Sequence, residues 1–157
     1  MTQPSPPRIS KINVSTSAKE FPVTIAYERD VPNSDTEAVK MPGTGQPHPD
    51  FVDALNQLAD TAIGICRLSE ADWTEVDRHV IGVSIKYADD GKFGLNITLM
   101  KKFEGDDGST VAVVINTPYI NPDMVTPRED RYIRDICAEA ELYLKGKRAQ
   151  GSLFAVA

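Results

Sequence analysis

Gln150, Leu153 and Phe154 hold positions one, four and five of a short stretch, Gln150-Gly-Ser-Leu-Phe154, that follows the cations Lys145, Lys147 and Arg148. One amide and two bulky apolar groups at that spacing, just beyond a basic helix end, read as a tethered peptide ligand. Ser152 lies between them, and Gly151 keeps the backbone pliable. Covalent chemistry has less to draw on. A nucleophilic triad needs a Ser or Cys held against a His, and the histidines are His48, beside Pro49 and Asp50 at a helix start, and His79, at a strand start near Asp77. Cys66, Cys137, His48 and His79 are separated by more than ten residues each, so no pair has the short spacing of a zinc site. Asp89-Asp90 and Asp106-Asp107 offer carboxylate oxygens suited to Ca²⁺ or Mg²⁺. Both pairs lie in Asp/Gly turns, where backbone geometry already asks for those residues, and neither follows calcium-loop spacing. With 23 acidic residues, no carboxylate pair stands out for acid and base work. The expectation is a protein that is not an enzyme, with no catalytic residue, no metal and no cofactor.

Gln150, Ser152, Leu153 and Phe154 resemble the pentapeptide Gln-Leu-(Ser or Asp)-Leu-Phe with which bacterial replication and repair proteins dock on the DNA sliding clamp. Gly151 departs from the Leu usual at the second position, which weakens the implied binding. A wider pattern is similar to small proteins of tailed bacteriophages and prophages. It comprises His48-Pro-Asp-Phe-Val-Asp-Ala-Leu55, Ile81-Gly-Val83, Val114-Ile-Asn-Thr-Pro118, and a charged helix running into Tyr143-Leu-Lys-Gly-Lys-Arg-Ala-Gln-Gly-Ser-Leu-Phe154. That resemblance implies a bacterial host cytosol and a partner in DNA replication, and it supplies no catalytic residue. Other readings stay open. The domain would be a binding module for a small ligand or a host defence factor, with residues 29–48 and 118–126 forming the site. Or Leu153, Phe154 and Val156 would fold back on their own core, or scattered carboxylates would converge in an enzyme pocket.

Composition narrows the setting. The 157 residues, 41% hydrophobic and 25% charged, fit one globular domain able to bury its own core. A formal net charge of −6 argues against binding phosphate backbones, which depends on Lys and Arg, so direct nucleic-acid binding is not expected. The cations at 145, 147 and 148 suit the negative end of a helix dipole. Tyr87, Phe93 and Phe103, with Lys86, Lys101 and Lys102 nearby, resemble a base-stacking platform in composition. Most of those aromatics share the phase of the core face, so a core edged by lysines is the more economical description. No apolar run reaches the roughly 20 residues that span a bilayer. The start, Met1-Thr-Gln-Pro-Ser-Pro-Pro7, has neither the charge nor the apolar segment of an export signal; a cytosolic protein without membrane contact is expected. Cys66 and Cys137 fall on apolar helical stripes, as buried reduced thiols do.

The elements that must carry these residues follow from periodicity. Residues 1–8, with three prolines, read as a flexible arm, 9–148 as one domain, and 149–157 as a tail. Ile12 and Val14, then Phe21, Val23, Ile25 and Tyr27, alternate as a hairpin. Residues 29–48 are rich in Pro, Gly and Asp and read as a long loop. Pro49 and the spacing of Phe51, Leu55, Leu58, Ala62 and Ile63 predict a helix of about four turns ending near Ile65. Ile81, Val83, Ile85 and Tyr87, then Phe93 to Leu99, then Val111, Val113 and Ile115 form a meander turned at Asp-Gly. Thr126, Pro127 and Glu129 open a last helix, which Gly146 stops. The result is an α+β two-layer sandwich: an antiparallel sheet of about five strands, in the order β-β-α-β-β-β-α, with two helices on one face. Its other face, carrying Ser84, Lys86, Asn96, Thr98 and Lys102, would meet water or a second subunit in a homodimer.

Overall fold

A computed structural model describes residues 8–15, 22–29, 37–43, 45–68, 78–88 and 90–148. Its elements are β1 (Arg8–Val14), β2 (Val23–Arg29), β3 (Glu37–Gly43), α1 (Pro49–Asn56), α2 (Ala59–Ile65), β4 (Arg78–Tyr87), β5 (Phe93–Glu104), β6 (Thr110–Asn116), a single 3-10 turn (Pro122–Met124) and α3 (Pro127–Leu144). The chain is an α+β protein. Six strands form one antiparallel sheet ordered β3-β2-β1-β4-β5-β6. That order is two sequence-local meanders, β1-β2-β3 and β4-β5-β6, joined only where Lys11, Ile12 and Asn13 face Ser84, Val83 and Gly82. Helices cover one face, over a core of Ile12, Ile25, Val83, Ile85, Leu95, Ile97 and Leu99 from the strands and Phe51, Leu55, Leu58, Ile133 and Ile136 from the helices. The other face carries Asn13, Ser84, Lys86, Asn96, Thr98 and Lys102, none of them buried.

The helix boundaries follow local chemistry. Thr126 accepts a hydrogen bond from the Glu129 amide through its hydroxyl and Pro127 occupies the first turn, which satisfies one orphan N–H and presets φ. At the other end Gly146 adopts φ +114°. Its N–H donates to Tyr143 O and the Lys147 N–H to Leu142 O, the paired bonds of a Schellman stop.

Three expectations shift. The segment expected to be a loop over 29–48 contains β3, whose seven residues pair with β2 from Val23↔Gly43 to Arg29↔Glu37; the sheet therefore has six strands. The helix expected over 49–65 is two, because the chain turns at Gln57 and Leu58 while Leu58 stays fully buried, so the apolar period runs on through the break. Asn56 uses that turn to accept the Val80 amide, 2.9 Å away. In β4 a bulge between Val80 and Gly82 shifts the core phase: Val80 is buried and Ile81, expected inward, is only half-buried.

Tyr143 ties the layers together. Its ring is 1% exposed and packs edge-on against Phe51, centroids 5.8 Å apart, while its hydroxyl donates to Gly45 O at 2.8 Å. A Cβ on Gly43 would sit 2.2 Å from Tyr143 Cε1, so only glycine lets β3 approach α3. Packing outweighs the hydrogen bond here. Tyr143→Phe is expected to cost about 1 kcal/mol, Gly43→Ala about 1–3 and Tyr143→Ala about 3–5, measured by urea unfolding; a Tyr143→Phe loss equal to that of Tyr143→Ala would contradict this ranking.

Candidate partner-binding site at the end of helix α3

Gln150, Ser152, Leu153 and Phe154 lie outside the described residues. The structure shows instead how the chain just before them is held. Arg148 lays its guanidinium over the Tyr143 ring, 3.5 Å from Cζ to centroid, donates through Nη1 to the Tyr143 carbonyl, and bridges to Pro47 through the backbone. A cation over an aromatic face combines quadrupole attraction with stacking of the planar group. Lys147 Nζ lies 2.9 Å from Asp50 Oδ2 and 3.1 Å from Glu139 Oε2, linking the start of α1 to the last turns of α3. His48 caps α1 by accepting the Asp50 amide on Nδ1 at 3.0 Å. Lys145 is exposed at the helix end. The three cations expected to face the helix dipole thus divide: Lys145 stays exposed at the helix end, and Lys147 and Arg148 fasten the chain before residue 149.

Charge contributes to this fastening. The Lys147 ammonium, through its hydrogen bond and its charge, holds the Asp50 carboxyl below its ordinary value, and the two carboxylates raise Lys147 in return. Asp50, lowered on folding, contributes above its ordinary 3.8 and loses that contribution as the pH falls through the folded value. Lys147, raised on folding, contributes below its ordinary 10.5 and loses it as the pH climbs through the folded value. The anchor is therefore complete between about pH 4 and 10. Amide exchange at Gly146, Lys147 and Arg148, corrected for its intrinsic pH dependence, should show protection at pH 6 that weakens by pH 3. In Lys147→Met that pH step should shrink. An unchanged step would mean the ion triad contributes nothing.

The other candidates resolve into structural roles. Asp90 Oδ1 accepts the Lys92 amide, and Asp107 Oδ1 accepts both the amide and the hydroxyl of Ser109, so both act as turn residues; Asp89 lies outside the described residues. Asp130 pairs with Arg134. Among the described residues no three His, Cys, Asp or Glu side chains gather as a metal site would require. The described parts of residues 29–48 and 118–126 do not converge: β3 forms one edge of the sheet, whereas the Pro122–Met124 turn packs on β5, four strands away. Tyr87 and Phe93 meet edge-on at the core boundary, centroids 6.1 Å apart, and the Arg8 guanidinium lies over the Tyr87 ring, 4.8 Å from its centroid. No helix among the described residues is long and apolar enough to cross a membrane. No protein-family model, curated protein or solved structure matches this chain.

Cys66 and Cys137 are both free thiols. Burial beside Tyr87 pushes Cys137 up to about 11, with Glu141 adding to the rise. Because the thiolate is the reacting form, Cys137 should be alkylated at pH 8 about a hundredfold more slowly than in the urea-unfolded chain. Mass spectrometry of iodoacetamide-treated protein would read this, and equal rates would contradict its burial.

The anchor escaped sequence reasoning because Lys147 and Asp50 are 97 residues apart. The available signal was the pairing of Lys-Arg after a helix-ending glycine with His-Pro-Asp at a helix start, which places opposite charges at two termini that an antiparallel packing brings together.

Proposed function

We propose that this protein is a non-enzymatic accessory of bacterial or phage DNA replication that docks on the DNA sliding clamp through Gln150, Ser152, Leu153 and Phe154. The observation that supports this reading is the anchor. The chain is fastened through Arg148 to a buried tyrosine and through Lys147 to Asp50 of α1, and the ligand-like residues begin two positions after Arg148. A peptide that leaves the domain at a fixed point keeps its reach short and its local concentration high. Leu153 and Phe154 supply the apolar contact, Gln150 the polar one, and the domain is carried to the clamp as cargo or blocks the clamp against other ligands.

The test is surface binding of the full chain to an immobilised bacterial sliding clamp. Leu153→Ala with Phe154→Ala should weaken it at least tenfold, as loss of two apolar anchors does. Gly151→Leu, which restores the family's second residue, should tighten it severalfold. Equal binding by the doubly substituted protein would refute the reading, and so would its failure to be displaced by a peptide of residues 146–157.

A further inference from the structure

The two edges of the sheet differ in kind. β3 carries Glu37, Lys40 and Pro42 within seven residues, and charge and proline are the means by which an edge resists pairing. β6 reads Thr110-Val-Ala-Val-Val-Ile-Asn116, without a charge or a proline. Among the described residues no strand pairs with its far side. Val111 and Val114 keep 49% and 51% of their surface exposed, although β-branched residues are in sheets to be packed.

Register shows which backbone groups are free. Thr117 N–H donates to Ile97 O at 2.9 Å, continuing the ladder in which Asn116 faces Thr98 and Ile115 faces Leu99. In an antiparallel ladder, residues that exchange hydrogen bonds alternate with residues that do not. The odd-numbered residues of β6 therefore bond to β5, and Thr110, Ala112, Val114 and Asn116 direct N–H and C=O outward.

We propose that β6 pairs antiparallel with β6 of a second copy of this chain about a two-fold axis at Val113, so that two six-stranded sheets become one. Thr110 then faces the partner's Asn116, Ala112 faces the partner's Val114, and every outward N–H and C=O of the strand finds a partner. The strand is complementary to itself in this register alone. Sliding it two residues one way sets Thr110 against the partner's Pro118, which has no N–H, and sliding it the other way sets Asn116 against the partner's Gly108, in the hairpin turn. Side chains agree with the backbone. On the helical side Phe103, Val111, the partner's Ile115 and the partner's Leu99 make one apolar row, and on the open side Met100 and Val114 meet the partner's Ala112. An isologous contact needs only this match of the strand to itself.

Sedimentation of the full chain at about 100 µM should give twice the 17.2 kDa chain mass. Ala112→Pro removes an outward N–H and leaves the β5 ladder whole, so it should weaken association at least tenfold while the circular dichroism is kept. Val113→Cys, at a non-bonded pair whose Cα atoms stand about 4.5 Å apart, should oxidise to a covalent dimer; Thr110→Cys, about 20 Å from its own copy, should not. A monomeric wild-type chain, whether its edge is bare or covered from within, overturns the proposal. So does a dimer indifferent to Ala112→Pro, or a covalent dimer that forms with Thr110→Cys and not with Val113→Cys.

Discussion

The close approach of Tyr143 to Gly43 is the constraint on which the remaining structure leans. A large ring, buried at the last turn of α3, occupies the space a side chain on β3 would have taken, and from there it meets Phe51 of α1, the Gly45 carbonyl and the Arg148 guanidinium. One residue thus sets the distance between the helical layer and the sheet edge, the position of the segment entering α1, and the place where the chain leaves α3. The polar contacts depend on this packing, because neither the hydroxyl bond to Gly45 nor the stacked guanidinium would have a fixed acceptor or surface if the ring could move. A partly exposed ion triad alone is a weak fastening; next to a locked ring it has a defined geometry to hold.

Much of the fold is legible in local pattern. The alternation of Phe93, Leu95, Ile97 and Leu99 places the long central strand and its buried face, and Thr126, Pro127, Glu129 and Gly146 bound α3 because caps are short-range chemistry. What resists reading is set by partners distant in sequence. β3 lies in a stretch of poor strand formers and takes its conformation from seven pairings with β2. The break at Gln57 and Leu58 hides because Leu58 remains in phase with the apolar stripe on both sides. The bulge at Ile81 hides because nothing in the sequence announces that the Asn56 side chain will accept the Val80 amide.

The site divides along the same line. The ligand-like order of Gln150, Leu153 and Phe154 is visible in sequence because a peptide ligand is local by nature, whereas its mooring joins residues nearly a hundred positions apart and becomes visible only in three dimensions. The acidic turns show the reverse: their residue types invite a metal, and the geometry spends them on the amides of Lys92 and Ser109. Residue type names what a side chain is able to do, and the neighbouring backbone decides which of those abilities remains.

The narrow junction between the two meanders has a kinetic meaning. β1-β2-β3 and β4-β5-β6 each close through neighbours in sequence, which is fast because short loops cost little entropy. The pairing of Lys11, Ile12 and Asn13 with Ser84, Val83 and Gly82 requires the ends of a segment of some seventy residues to meet, and it offers few bonds in return. That junction is flanked by irregularities in both strands, and it is braced by α3, which runs from the turn packed on β5 to Gly43 at the far edge. Formation of the two halves can precede their union, and the order in which α3 docks then governs how quickly the chain passes from two local structures to one.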